Sequence, residues 1–220
     1  MNLTYAEENY VKAIYHLSNA GSDVVSTNSI SQRLQTKPAS VSDMIRRLSD
    51  KGVISYQKYQ GVNITDNGKS VALTVIRKHR LWEVFLVDKL QFHWDEVHEV
   101  AEQLEHIKSP LLIKRLDDFL GNPKYDPHGD PIPDEFGKFS TKPKTVLSEL
   151  PEGILAAIVT VNDSSPAFLQ YLDKLGVKIQ MKIKVIEKIE FDGSMQIELD
   201  DSKKVYISKE VSNNLLVTEL

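Results

Sequence analysis

The chain has no cysteine in 220 residues. That excludes a disulfide framework and any thiolate ligand for a metal, and it fits a reducing cytoplasm. No run of 18 apolar residues occurs, so no membrane-spanning helix is expected. The opening segment, MNLTYAEENYVKAIY, lacks the basic start, apolar run and small-residue cleavage site of a secretory signal. A cytoplasmic protein with no membrane partner is the expectation. At 41% apolar and 26% charged residues the composition is otherwise that of an ordinary globular chain.

A strong charge of either sign is also missing, but the net −4 conceals an asymmetry. Residues 1–80 hold 11 Lys+Arg against 6 Asp+Glu, residues 81–150 hold 8 against 14, and residues 151–220 hold 8 against 11. A basic first third on an acidic remainder fits a local phosphate-binding surface. A solvated basic face would give the same count.

Periodicity divides the chain into three blocks. In residues 5–19 the apolar positions Tyr10, Val11, Ile14, Tyr15 and Leu17 recur at helical spacing. Residues 26–34 open with the cap formers Ser26, Thr27 and Asn28 and read as a short helix. After a polar break, residues 38–48 read as a second helix, with Pro38 in the first turn, where a missing N–H costs little. Gly52 ends it, and residues 53–59 and 62–65 form two β-like runs around Gln60-Gly61. Asp66-Asn67-Gly68 reads as a turn into the next helix. Helix, turn, helix and hairpin, in that order, is a winged helix-turn-helix, and its second helix suits a major groove. Many small α+β domains share that inventory; the short turn and the polar start of the second helix favour DNA.

The second block carries long helices over residues 68–90, from Asp95 (as N-cap), and over 109–121. It has more large apolar residues than one face would bury, among them Trp82, Phe85, Leu111, Leu112 and Phe119, so a homodimer interface is expected. A Pro/Gly-rich connector fills residues 121–151. The third block reads as short strands over residues 154–161, 177–189, 195–199, 204–207 and 214–218, with Asp192-Gly193 as a hairpin turn and residues 166–174 as the one helix-like piece. That is a small SH3-like β-barrel without a catalytic motif.

The chemistry lies in His79-x-x-x-Glu83 and His98-x-x-x-Glu102-x-x-Glu105-His106. Residues three, four and seven apart share one helix face, so two helices can offer imidazoles and carboxylates to one pocket. The donors are all nitrogen and oxygen, which favours Mn(II) or Fe(II) over an ion that prefers sulfur. Taken singly, each His is more often structural, and Glu96, Glu99 and Glu102 are what any solvated helix carries.

These residues resemble the iron- and manganese-dependent repressors, the family of the diphtheria toxin repressor and the manganese transport regulator. The matching segments are Glu8-Asn9-Tyr10-Val11 with Ile14-Tyr15, Lys37-Pro38-Ala39-Ser40-Val41-Ser42, Ile64-Thr65 before Gly68, and Arg77-Lys78-His79-Arg80-Leu81 with Glu83. The others are Val97-His98-Glu99 through Glu105-His106 and Pro127-His128-Gly129-Asp130-Pro131-Ile132-Pro133. The resemblance spans nearly the whole chain.

It implies an α+β, mostly α protein in three domains: a winged helix-turn-helix over residues 1–74, a helical metal-binding and dimerisation domain over 75–140, and an SH3-like (FeoA-like) domain over 141–220. It implies two metal ions per subunit. One site would use His79, Glu83 and His98; the other would use Glu102, Glu105, His106 and a residue of the first helix. Asn9 stands where manganese-type members have Asp and iron-type members Met, and Glu102 is the manganese-type residue where iron-type members have Cys. Lys12 replaces a liganding Glu of the short manganese regulators. In the C-terminal domain the aligned ligand positions are Ser164 and Ala167, leaving Asp163 as a weak candidate. Asp126 and Asp130 replace residues that hold an anion in some members, and direct pairing with Arg80 is expected. Lys37, Pro38, Ala39, Ser40, Ser42, Arg46 and Arg47 are the expected DNA-contacting residues.

The function implied is a Mn(II)- or Fe(II)-activated repressor of metal-uptake genes, acting as a homodimer on a palindromic double-stranded operator. A dinuclear metalloenzyme and a metal-independent winged-helix regulator are the other readings. Only Glu102-x-x-Glu105-His106 comes near the paired Glu-x-x-His of a di-iron bundle, which disfavours the enzyme.

Overall fold

The computed structural model describes residues 2–57, 60–140, 143–200 and 202–220. Lys58 and Tyr59, the last two residues of the first β-like run expected over residues 53–59, lie outside the described residues. The chain forms two compact units. The first comprises Met1–His79, Glu102–Lys114 and Pro133–Phe139, and the second Arg80–Ala101, Arg115–Ile132 and Ser140–Leu220.

In the first unit, helix α1 (Tyr5–Leu17) begins with a reciprocal cap. The Thr4 hydroxyl accepts the Glu7 N–H at 3.3 Å, and the Glu7 carboxylate accepts the Thr4 N–H at 2.7 Å. Helix α2 (Thr27–Arg33) is capped by Ser26, which accepts the Ser29 N–H at 3.0 Å. Helix α3 (Pro38–Asp50) buries Val41, Ile45 and Leu48, four and then three residues apart, and leaves the rest of its surface polar. Strands β1 (Ile54–Gln57) and β2 (Gly61–Ile64) pair antiparallel, Ile54 opposite Ile64. Val25 bridges to Val62 beside them, exchanging backbone hydrogen bonds of 2.9 Å in both directions. This is the helix-turn-helix with a wing that the pattern predicts.

Helix α4 (Asp66–Leu90) starts before the expected turn has finished. Thr65 explains the difference: its hydroxyl accepts the Gly68 N–H at 3.1 Å, so Asp66-Asn67-Gly68 is the first helical turn. Gly68 fits there because a Cβ would lie 2.0 Å from the Val53 carbonyl oxygen. Helices α5 (Val97–Leu104) and α6 (Pro110–Phe119) follow. Asp95 does not begin α5, which starts two residues later; its carboxylate accepts a hydrogen bond from Gln170 at 2.7 Å.

In the second unit the C-terminal residues form one six-stranded antiparallel sheet, ordered β3-β8-β4-β5-β6-β7. The strands are β3 (Thr145–Val146), β4 (Leu155–Val161), β5 (Lys182–Lys188), β6 (Met195–Leu199), β7 (Lys203–Ile207) and β8 (Leu215–Glu219). Helix α7 (Pro166–Leu175) and the six-residue α8 (Lys209–Asn214) flank it. Ile158, Leu169, Leu172, Ile183, Val185 and Ile197 lie in its core, all essentially unexposed. Strands β3 and β7 are the two edges and do not pair with each other among the described residues, so the sheet is open where a closed barrel is expected. Helix α8 escapes a periodicity search because KEVSNN is short and polar; the Ser208 cap, accepting the Val211 N–H at 3.3 Å, starts it.

The turn around Gly129 packs closely against β4. Gly129 has φ +85°, and a Cβ there would stand 1.9 Å from the Val159 carbonyl oxygen and 2.8 Å from the Thr160 Cα. Gly129→Ala is expected to cost roughly 2–4 kcal/mol, combining backbone strain with a clash against an interior strand. Urea unfolding of the metal-free chain measures it; a loss below about 1 kcal/mol would show that the turn can move away from β4.

Candidate metal centres and nucleic-acid interface

The first unit gathers one cluster from three places. Helix α1 presents Glu8, Asn9 and Lys12, within about one turn of each other. Helix α4 presents His79. Helix α5 ends at Leu104, so Glu102 is helical while Glu105 and His106 lie in the turn beyond. Spacing expects these last two on the helix itself; the turn instead swings both side chains inward. Glu105 has no exposure at all. Its Oε2 lies 2.6 Å from His79 Nδ1. The Lys12 ammonium donates to Glu105 Oε1 and Oε2 at 2.7 Å each and to Glu102 Oε1 at 2.6 Å. His79, Glu102 and Glu105 each offer a ligand atom within 4.8 Å of the others. Lys78, buried beside them, has its pKa lowered by burial, against the pull of the Glu8 and Glu105 charges.

Glu8 is a residue that sequence reasoning misses. His106 Nδ1 lies 2.6 Å from Glu8 Oε2, and the Tyr5 ring stands over the imidazole with centroids 3.7 Å apart. An Nδ1–H held by a carboxylate leaves Nε2 with a lone pair, the arrangement that orients a histidine toward a metal. His106 Nε2 and Asn9 Oδ1 are both buried with no hydrogen-bond partner among the described residues. A buried acceptor without a donor carries a desolvation penalty of about 1–3 kcal/mol, which a cation would relieve. The donor set is hard, mixed nitrogen and oxygen, and fits a divalent ion such as Mn(II) or Fe(II).

The second unit builds another cluster around Glu83 of α4. Glu83, Asp126 and His128 are all buried, with ligand atoms within 4.8 Å of one another. His128 Nε2–H donates to the Trp94 carbonyl at 2.8 Å, and the two rings stack at 6.0 Å. That bond fixes the ring so that Nδ1 faces Glu83 Oε2 at 3.7 Å. Asp126 Oδ1 accepts the N–H groups of His128 at 2.9 Å and Asp130 at 3.0 Å. Arg80 completes the network, as its expected pairing requires: Nε lies 3.4 Å from Asp126 Oδ2 and Nη2 lies 3.2 Å from Asp130 Oδ2, while Nη1 donates to the Pro131 carbonyl. Burial, with the Glu83 and Asp130 charges, pushes the Asp126 carboxyl up to about 7 against Arg80 and His128. Burial opposes the His128 charge, but Glu83 and Asp126 outweigh it and raise its pKa to about 9. His128 lies in the Pro127-His128-Gly129-Asp130 segment that carries part of the family resemblance, and Asp126, expected only as a partner of Arg80, directly precedes it.

The remaining expected residues are placed as follows. His98 Nδ1 lies 3.7 Å from Glu83 Oε1, with the His98 side chain 57% exposed. The expected trio of His79, Glu83 and His98 draws on both units, and each part is described in its own unit. Asp163 Oδ1 accepts the Ser165 N–H at 2.8 Å ahead of α7 and joins neither cluster described above. Lys37, Pro38, Ala39, Ser40, Ser42, Arg46 and Arg47 are all exposed on α3 and at its start. Ser42 Oγ donates back to the Pro38 carbonyl at 3.1 Å, and Arg46 lies 3.5 Å from Asp43 on an open surface. No helix among the described residues is long and apolar enough to cross a membrane.

Comparisons with known proteins agree with this layout. Residues 2–62 match the iron dependent repressor, N-terminal DNA binding domain; residues 65–134 match the iron dependent repressor, metal binding and dimerisation domain; residues 145–219 match the FeoA domain. The iron-dependent repressor IdeR of Mycobacterium leprae is 33% identical over 165 residues, covering 72% of this chain and 71% of that protein. The diphtheria toxin repressor of Corynebacterium diphtheriae is 25% identical over 232 residues, covering 100% of this chain and 99% of that one. A solved manganese-dependent transcriptional repressor in complex with manganese aligns with TM-score 0.85 at 33% identity, over 97% of this chain and 100% of that one.

The second cluster makes a pH prediction for the metal-free chain. His128 is raised from 6.5 to about 9 and Asp126 from 3.8 to about 7, so the folded state holds more protons than the unfolded one. The stability that charged His128 contributes is complete below 6.5 and is lost as pH rises through about 9. Ionising Asp126 removes stability in the same direction. The melting temperature in chelator should therefore fall from pH 6.5 to 9, and His128→Gln should flatten that fall. A melting temperature that rises over this interval contradicts the assignment.

Proposed function

Because the chain belongs to the iron-dependent repressor family, whose members are DNA-binding transcriptional repressors rather than enzymes, we propose that it is a cytoplasmic homodimer whose DNA binding is switched on by Mn(II) or Fe(II). Its genes would be those of metal uptake. The observation that carries the reading is a pair of buried atoms that make no hydrogen bond, Asn9 Oδ1 and His106 Nε2, the latter 3.5 Å from the unexposed Glu105 carboxylate. The three functional domains are residues 1–74, 75–140 and 141–220. The last is read as SH3-like from its size and its FeoA match.

Two ions per subunit are proposed. One is held by Glu102, Glu105, His106, His79 and the amide of Asn9, with Glu8 orienting His106. For the other, the expected His79, Glu83 and His98 compete with Glu83, Asp126 and His128; the burial of the latter three favours them. Asp163 is an auxiliary candidate at most, since its carboxylate caps the approach to α7. The ion supplies a divalent charge that bonds α1 to the residues after α5. The lack of any sulfur donor favours Mn(II) among the family's ions.

On DNA, the first turns of α3 enter the major groove. Ser40 and Ser42, with Pro38 and Ala39, meet base edges, and Lys37, Arg46 and Arg47 meet phosphates. A homodimer presents two such helices, so its operator is palindromic. Metal acts by favouring the DNA-competent state through its differential affinity for it.

The test is retention of operator DNA by the full chain in chelator, Mn(II), Fe(II) and Zn(II). Mn(II) should tighten specific binding by a factor in the range of about 5–150, the usual span of allosteric coupling. Glu102→Ala should abolish that response while the chain stays folded. Equal affinity in chelator and in metal would leave the metal-independent regulator as the better reading. Arg47→Ala should weaken binding to all sequences alike and reduce the salt slope by about one unit. Altered sequence preference at an unchanged slope would place Arg47 on a base instead.

A further inference from the structure

The Lys12 ammonium sits among the same carboxylate oxygens that the first metal site would use. It makes three contacts of 2.6–2.7 Å, one to Glu102 and two to Glu105. An ion bonded to those oxygens at about 2.0–2.6 Å would lie within bonding distance of the same lone pairs. Each carboxylate oxygen has a second lone pair, but an ammonium and a divalent ion drawn to the same few oxygens crowd and repel each other, so bonding the ion weakens the hold on Lys12. We propose that Lys12 is a tethered competitor for the metal: its ammonium holds the ligand carboxylates until a divalent ion displaces it, and so sets the metal concentration at which the switch operates. This deepens the reading of the first cluster as a metal site and rests on it.

Three further features support displacement over a permanent ion pair. Glu105 is wholly buried, and the cation that faces its carboxylate in the metal-free chain is held by contact rather than by solvent: Lys12 Nζ lies 2.7 Å away. The Lys12 side chain keeps 14% exposure, so its flexible four-carbon stem has a way out to solvent. Most directly, Lys12 does not satisfy the whole cluster. Asn9 Oδ1, three residues away on α1, and His106 Nε2, 3.5 Å from Glu105 Oε1, stay without a hydrogen bond while Lys12 is in place. A lysine built only for structure would leave no such atoms; a divalent ion with several coordination positions would use them. Lys12 also links the elements the metal would link, α1 with α5 and the turn after it, so the metal-free cluster does not fall apart while it waits.

The neighbouring cations keep their own partners. Lys108 donates to Asn2 Oδ1 at 2.8 Å and to the Leu3 carbonyl at 2.6 Å, and Lys51 donates to Glu7 at 2.7 Å. Lys78 feels Glu8 and Glu105 only through their field. Lys12 is thus the cation with direct bonds to the ligand carboxylates.

The experiment uses the full chain and Mn(II) alone. Equilibrium dialysis should show Lys12→Gln binding Mn(II) at the first site about tenfold tighter than the parent or better, with Lys12→Arg close to the parent. In chelator, Lys12→Gln should melt lower than the parent, and saturating Mn(II) should restore it. Lys12 can also be followed in the unaltered protein, whatever the variants do. Its amine should label faster with an acylating reagent in Mn(II) than in chelator, read by peptide mass spectrometry against Lys108 as reference. Affinity unchanged or weakened in Lys12→Gln, or Lys12 labelling unchanged by Mn(II) in a parent that binds the ion, overturns the competition and leaves the metal site standing. A parent that binds no Mn(II), or a Glu105→Gln variant that binds it as the parent does, overturns the metal site and the competition together.

Discussion

A carboxylate that stays ionised with no exposure to water has to be met by positive charge or by a metal, because an unpaired buried ion costs several kcal/mol. Glu105 is that carboxylate. Its oxygens take Lys12 from α1 and His79 from α4, and its neighbour His106 takes Glu8 from α1. One buried acid thereby ties its own turn to partners 93 residues away on α1 and 26 residues away on α4. The tie is electrostatic, so it responds to which cation occupies it.

Helix α1 joins that tie to the core beneath α3. Its apolar residues Tyr10, Val11 and Ile14 belong to the same core as Val41, Ile45 and Leu48 of α3. Its polar residues Glu8, Asn9 and Lys12 belong to the metal cluster. Both sets lie on thirteen residues of continuous helix, fixed at its start by the Thr4–Glu7 cap. A close-packed core transmits small shifts rather than absorbing them, so a change in the cluster that moves α1 also moves α3, the helix proposed to read DNA.

Much of the winged helix was legible because its elements are written locally: Ser26 as a cap, Pro38 in a first turn, Gly61 at a hairpin, and apolar residues three or four apart. The candidate metal residues were also legible as a helical spacing, although Glu105 and His106 lie in a turn. What periodicity could not show was how partners from distant segments meet. Glu8 is an ordinary first-turn acid by sequence, Lys12 an ordinary exposed-type lysine, and His128 a loop residue; each acquires its role only from what is packed against it. The edge strand β3 and helix α8 were missed for a different reason, since two and six residues are too few to display a period. Closure of the C-terminal sheet depends on pairing between edges, which no local pattern encodes.

The two clusters differ in how they are held. The first is assembled around a displaceable lysine, whereas the second is framed by backbone: the Trp94 carbonyl orients His128, and the amides of residues 128 and 130 hold Asp126. Fixed ligands of the second kind suit an ion that stays, and the first kind suits one that comes and goes. The central claim is that each buried cluster holds its own divalent ion. Titration of the full chain with Mn(II), with free ion counted by electron paramagnetic resonance, tests it most directly when repeated on Glu105→Ala and His128→Ala. The account predicts two classes of bound ion in the parent, with a different class lost in each variant. The same stoichiometry and affinities in all three proteins would contradict it.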